Sequence, residues 1–205
     1  VGGFWSRRCR DLWDSTQSSE KYGPELDGLM QQARADFVGG RIEASVKGYA
    51  RAELAARAAG KTDLALDLGY TRASILLQEK QYDSAGTEFL RLADEYPESP
   101  RAPSAHLNGS YCLGRLYDEQ KTQQRRERYS ETLDRHLERF SDDPTADDAR
   151  FFKAYLEEQR LQATIALPLY LKVADTHPRA AEAHAGAARC YETILVRMRD
   201  KKLPT

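Results

Sequence analysis

An eighteen-residue pattern occurs twice in this chain. KQYDSAGTEFLRLADEYP carries Ala85, Phe89 and Pro97, and LQATIALPLYLKVADTHP carries Ala166, Tyr170 and Pro178, each displaced by the same 81 residues. The shared spacing is Ala-x3-aromatic-x7-Pro. A small residue lets two helices approach closely, an aromatic ring one turn later fills the space between them, and proline ends the helix. A chain that repeats such a unit must bury it against neighbours of the same kind.

A second repeated set starts at prolines: Pro100-x-Ala102-x-x-Ala105, Pro144-x-Ala146-x-x-Ala149 and Pro178-x-Ala180-x-x-Ala183, offset by 44 and then 34 residues. The same helices continue with Gly109, Cys112 and Leu116 in one copy and Ala187, Cys190 and Ile194 in another. This ridge at spacings of three and four is the expected buried face. Lys153 departs from it, and Leu156 stands where the other copies have cysteine. Cys112 and Cys190 therefore read as small core groups. With Cys9 the total is three, without a C-x-x-C pair, so neither a complete disulfide framework nor a cysteine-rich zinc site is indicated.

Strand-like alternation is nearly absent from Glu25 onward, and the helical period predicts an all-α chain. Breakers at Gly39-Gly40, Gly60-Lys61, Pro97 to Pro100, Asp142-Asp143-Pro144 and His177-Pro178 mark hairpins over about 25–60, 62–97, 100–141, 144–178 and, in part, 180–197. Ser99-Pro100 and Asp143-Pro144 each place an N-cap before a proline suited to the first helical position, and Thr62 reads as another N-cap. Pro168 falls early in a helix, where it should cause at most a local kink.

Residues 1–24 differ from the rest. Phe4, Trp5 and Trp13 alternate with Arg7, Arg8 and Arg10 ahead of a polar linker, which suits either a docking arm or a capping helix on the first hairpin. Over the whole chain 31 basic residues balance 32 acidic ones, so no global field favours nucleic acid or an anionic membrane. No apolar run is long enough to span a bilayer. A start at Val1 and an end just past a helical pattern suggest a piece of a longer polypeptide.

These residues resemble the tetratricopeptide repeat family. Ala73, Ala85, Phe89 and Pro97 fill its four most characteristic positions, while Tyr129, Leu133 and Ser141 make the third hairpin a weaker match with longer helices. The resemblance covers about 30–197. It implies a right-handed superhelix of stacked antiparallel hairpins that binds a protein or peptide on its concave face, without cofactor or metal. The junction Glu95-Tyr96-Pro97-Glu98-Ser99-Pro100, followed by Ala102 and Ala105, is similar to bacterial envelope repeat proteins of the outer-membrane assembly lipoprotein and Tol-Pal-associated kind. That likeness implies a periplasmic or envelope setting.

The helical turn angle puts Ser104, Leu107 and Tyr111, then Asp148, Phe151 and Tyr155, then Glu182, Ala185 and Arg189 away from the buried ridge, with Tyr70 and Ser74 in the preceding copy. The partner-binding candidates are Tyr70, Ser74, Leu107, Tyr111, Phe151, Tyr155 and Arg189, because aromatic and Arg side chains bury much area with few rotors to freeze. Packing of Phe151 and Tyr155 against the next hairpin is the alternative. His106, Arg150 and His184 are basic at equivalent positions and form either an electropositive track or ordinary surface and packing groups.

Gly60-Lys61-Thr62 lacks the glycine-rich turn of a phosphate-binding loop, the four histidines show no metal-ligand spacing, and no nucleophile elbow is present. A non-catalytic scaffold is the expectation. Its alternatives are a regulatory or docking domain of a larger enzyme or membrane protein, and a self-association module using the terminal hairpin.

Overall fold

The helical period is realised throughout the computed structural model, which describes residues 21–200; among them are nine helices and no strand. The helices are α1 (Pro24–Val38), α2 (Ile42–Ala58), α3 (Thr62–Gln78), α4 (Tyr82–Glu95), α5 (Ala102–Glu119), α6 (Gln123–Arg139), α7 (Thr145–Gln159), α8 (Ala163–Tyr170) and α9 (Ala180–Asp200). The protein is all-α. Two compact units divide inside α4, at Glu88 and Phe89. The aromatic and arginine-rich segment around Phe4, Trp5 and Trp13, with Cys9, lies outside the described residues.

Four connections are the same turn. Gly40, Gly60, Lys80 and Leu161 all have positive φ, at 73°, 69°, 58° and 60°. In each, the following N–H donates to the carbonyl five residues back: Arg41 to Asp36, Lys61 to Ala56, Gln81 to Leu76 and Gln162 to Glu157, at 2.8–2.9 Å. This left-handed cap satisfies the last carbonyls of one helix and sends the chain straight into the next. Glycine suits it, yet Lys80 and Leu161 adopt the same conformation against the steric preference of L-residues.

In the first unit α2 packs on both α1 and α3. Leu26, Ala52, Ala56, Ala65 and Leu68 form its core, with Tyr22, Leu29, Met30 and Tyr49 around them. The α1–α2 approach is close: a Cβ on Gly48 would fall 2.8 Å from the Ala33 Cβ, and the buried Ser45 hydroxyl donates to the Ala33 carbonyl at 2.8 Å. Buried Glu53 is met by Arg57 at 2.9 Å and Arg72 at 3.3 Å, which compensates the charge.

In the second unit each helix from α5 to α9 packs on the next, and α7 also touches α5 and α9, its next-but-one neighbours. The small-residue ridge lies at these contacts. Ala102, Ala105, Cys112, Ala146, Ala149, Ala183, Ala187 and Cys190 are all buried. Burial pushes the Cys112 thiol up to about 12, which keeps it protonated and inert. Of the repeated pattern, Phe89, Ala166 and Tyr170 in this unit and Ala85 in the first are buried as well. Lys153 is buried despite its charge, because its ammonium donates to Ser130 Oγ and Asp134 at 2.6 Å and lies 3.8 Å from Glu157.

Three local expectations are corrected. Pro100 and Pro144 occupy one extra turn before their helices, in which Ala102 N–H donates to Ser99 and Ala146 N–H to Asp143, both at 2.9 Å. Helix α5 therefore starts at Ala102, and Asp143 reaches Thr145 N–H at 2.9 Å from outside α7. Thr62 is the first residue of α3, with Lys61 at the cap position. Pro168 does more than kink its helix: α8 stops at Tyr170 and the chain closes in tight turns, Leu171 to Leu167 and Val173 to Tyr170. Proline removes the N–H that would hold the Thr164 carbonyl, and so short a helix loses little by ending there.

Candidate functional site

Helices α5 and α7 run in the same direction with α6 returning between them, so outward residues of both can border one surface. Tyr111 on α5 and Tyr155 on α7 do so. They are 40% and 51% exposed and line a groove of about 380 Å³ together with Tyr117, Tyr129, Phe151 and Phe152. Tyr111, Phe151 and Tyr155 come from the stripe that faces away from the small-residue ridge, and Tyr129 enters from α6. The groove's floor depends on Gly114, whose bare backbone accepts the Tyr129 ring; a Cβ there would lie 2.9 Å from Tyr129 Cζ.

Phe151 serves two roles by position. At 7% exposure it belongs to the core, edge-on to Phe152 at 6.1 Å and to Tyr170 at 5.9 Å between centroids, while its remaining surface closes the groove. Arg179 lies over both Phe rings, its guanidinium carbon 4.9 Å from the Phe151 centroid and 5.1 Å from that of Phe152. Such stacking holds the charge in place without a carboxylate. Among the described residues Arg179 and Lys121, another lining group, form no ion pair, whereas Arg115 is 3.8 Å from Asp118. The Tyr111, Tyr117, Tyr129 and Tyr155 hydroxyls have no hydrogen-bond partner among those residues. Burial raises the Tyr129 phenol above its ordinary range, so it remains a donor.

The other sequence candidates lie elsewhere. Leu107 is half-buried and packs with the cluster of Leu113, Tyr129, Leu133 and Leu156. Arg189 is held by Glu158, with Nε 2.6 Å from Oε1 and Nη2 3.0 Å from Oε2. Tyr170 also donates to Glu158, at 2.7 Å, and these hydrogen bonds hold that carboxyl below its usual range. Tyr70 and Ser74 belong to the first unit, on α3, where the Ser74 hydroxyl donates to the Tyr70 carbonyl at 2.8 Å. The basic track does not form. His106 is fully buried, Arg150 is taken by Asp147 at 2.5 Å, and His184 lies 3.1 Å from Asp175.

Lining residues that the sequence reading missed fall into two kinds. Arg115 and Asp118 follow Tyr111 at helical spacing, and Gln159 follows Tyr155, so extending each stripe by a turn finds them. Arg179 and Lys121 lie in connections, where no periodicity applies. No protein-family model matches the chain, and no curated protein matches it in sequence.

Proposed function

We propose that this protein is a non-catalytic scaffold of the tetratricopeptide type, a superhelix of stacked hairpins whose concave face binds a protein or peptide segment. One observation carries the reading. Tyr111 and Tyr155, exposed on two parallel helices, face a common groove floored by buried Phe151 and Tyr129. Large, stiff rings with unused hydroxyls bind at little entropic cost and supply hydrogen bonds for a peptide backbone. The stacked-hairpin form is supported by the contacts of α7 with α5 and α9 and by the alanine-sized ridge buried there. A role in bacterial envelope assembly rests on the junction Glu95-Tyr96-Pro97-Glu98-Ser99-Pro100 with Ala102 and Ala105 after it.

The test is selection of peptides from a randomised display library, with the Tyr111→Ser/Tyr155→Ser double variant in parallel. The reading expects wild-type protein to enrich a consensus that the variant does not retain, while both unfold at the same temperature. Enrichment indifferent to the two substitutions would overturn it, as would failure to enrich any peptide.

A second reading, self-association, is favoured by the terminal hairpin. Ile165 and Leu171 in and after α8, with Tyr191, Leu195 and Val196 on α9, are large apolar side chains left exposed. Sedimentation of wild type and Tyr191→Lys/Leu195→Lys over a wide concentration range decides it: a monomer throughout removes this reading.

A further inference from the structure

The groove's unpaired charges lean to the positive sign. The Arg179 guanidinium and the Lys121 ammonium are cations without partners among the described residues, against a single unpaired carboxylate, Glu182, while the four tyrosine hydroxyls can donate or accept. Arg115 and Asp118 answer one another. An occupant with two anionic groups would meet both cations.

The two cations lie at opposite ends. Arg179 sits over Phe151 and Phe152, and Lys121 belongs to the short α5–α6 connection, at the end of the hairpin reached by Asp118 and Gln159. Gln159 follows Phe152 by seven positions on α7, a rise of about 10 Å. Tyr155 lies between these ends on α7. Extended chain advances roughly 3.3 Å per residue, so acidic side chains on either side of three intervening residues reach both cations.

Resting on the scaffold reading above, we infer that the groove takes an extended internal peptide segment with an acidic side chain at each end of a short apolar centre. Arg179 receives one carboxylate, the tyrosines flank the centre, and Lys121 receives the other. Glu182, one turn from Arg179 on α9, opposes the first carboxylate and keeps the site from binding acids indiscriminately. The guanidinium offers two parallel N–H donors already fixed by ring stacking, which makes that end the stronger of the two.

The probe is a set of fluorescein-labelled, N-acetylated, C-amidated peptides whose first and fifth positions are both Glu, both Gln or both Lys. Their three central positions are randomised over Leu, Phe, Tyr, Pro and Ser, and a control set has the two Glu adjacent. Fluorescence polarisation should show the spaced Glu pool binding about tenfold more tightly than the Gln pool, with the Lys pool weaker still and the preference reduced by salt. Arg179→Gln should erase most of the Glu preference, Arg179→Lys should keep part of it, and Glu182→Gln should increase it. Equal binding of the Glu and Gln pools, or of spaced and adjacent Glu, with binding still lost in Tyr111→Ser/Tyr155→Ser, would overturn the inference and leave the scaffold reading standing. Absence of binding by every pool, or binding unaffected by the tyrosine substitutions, would remove both.

Discussion

The Nδ1 atoms of His106 on α5 and His136 on α6 lie 3.2 Å apart in a site where neither ring is exposed. The tautomers follow from the chain of bonds around them. The Thr145 hydroxyl donates to the Asp143 carboxylate at 2.6 Å, so it accepts from His136 Nε2–H at 3.1 Å. His136 Nδ1 is then the acceptor for His106 Nδ1–H. That leaves His106 Nε2 a bare lone pair, buried and without a partner. Phe140 covers both rings, with centroids at 5.7 and 5.2 Å.

Stability should therefore fall on mild acidification. Burial lowers both rings to about 4, and the two also disfavour protonation of His106 by mutual repulsion. Asp94, Arg135 and Arg139 act on His106 as well, and Asp143, Asp148 and Arg139 on His136. An unfolded histidine takes its proton near 6.5, so below that pH the unfolded chain binds more protons and the folded state loses ground until the folded rings titrate. Between pH 7.5 and 5 the loss is up to about 2 kcal/mol for each ring. Urea unfolding at the two pH values measures it, and His106→Leu should flatten the dependence. A wild-type profile level above pH 5 would contradict the buried neutral pair.

Gly186→Ala should destabilise the protein by about 2 kcal/mol. Helix propensity alone would make the change favourable by nearly 1 kcal/mol. The obstacle is the Tyr170 ring, whose Cζ would lie 2.5 Å from the new Cβ, with both neighbouring ring carbons also under 3.0 Å. Tyr170→Leu in the same background should recover part of the loss, and a thermal-denaturation double-mutant cycle reads the coupling.

At the repeated turn, Leu161→Gly should stabilise by about 1 kcal/mol, because the wild-type side chain is mostly exposed and its φ of 60° is left-handed. Gly60→Ala, in the same turn with open space around it, should cost a similar amount. Chemical denaturation of the two variants checks the opposite signs.

Arg189→Ala should leave peptide binding unchanged and cost less than about 1 kcal/mol of stability. Its guanidinium is engaged with Glu158 and does not line the groove. Glu158→Gln should cost more, since Tyr170 and Arg189 both lose a charged acceptor. Polarisation binding and thermal melts on both variants separate the two effects.

The residues alone carried the class of fold and the identity of its contacts. Ala85, Phe89, Ala166, Tyr170 and the ridge through Cys112 and Cys190 announce which surfaces are buried, because helical periodicity is local and size at a close contact admits few side chains. Tyr111 and Tyr155 were legible for the same reason, as positions facing away from that ridge. Tertiary structure decided what periodicity cannot reach. It took His106 out of the basic series and into a buried pair, tied Arg189 to Glu158, and ended α8 at Tyr170. It also brought Arg179 and Lys121, from two irregular connections 58 positions apart in the sequence, to the border of one groove. Charged side chains in loops find partners through space, and no spacing along the chain records that distance.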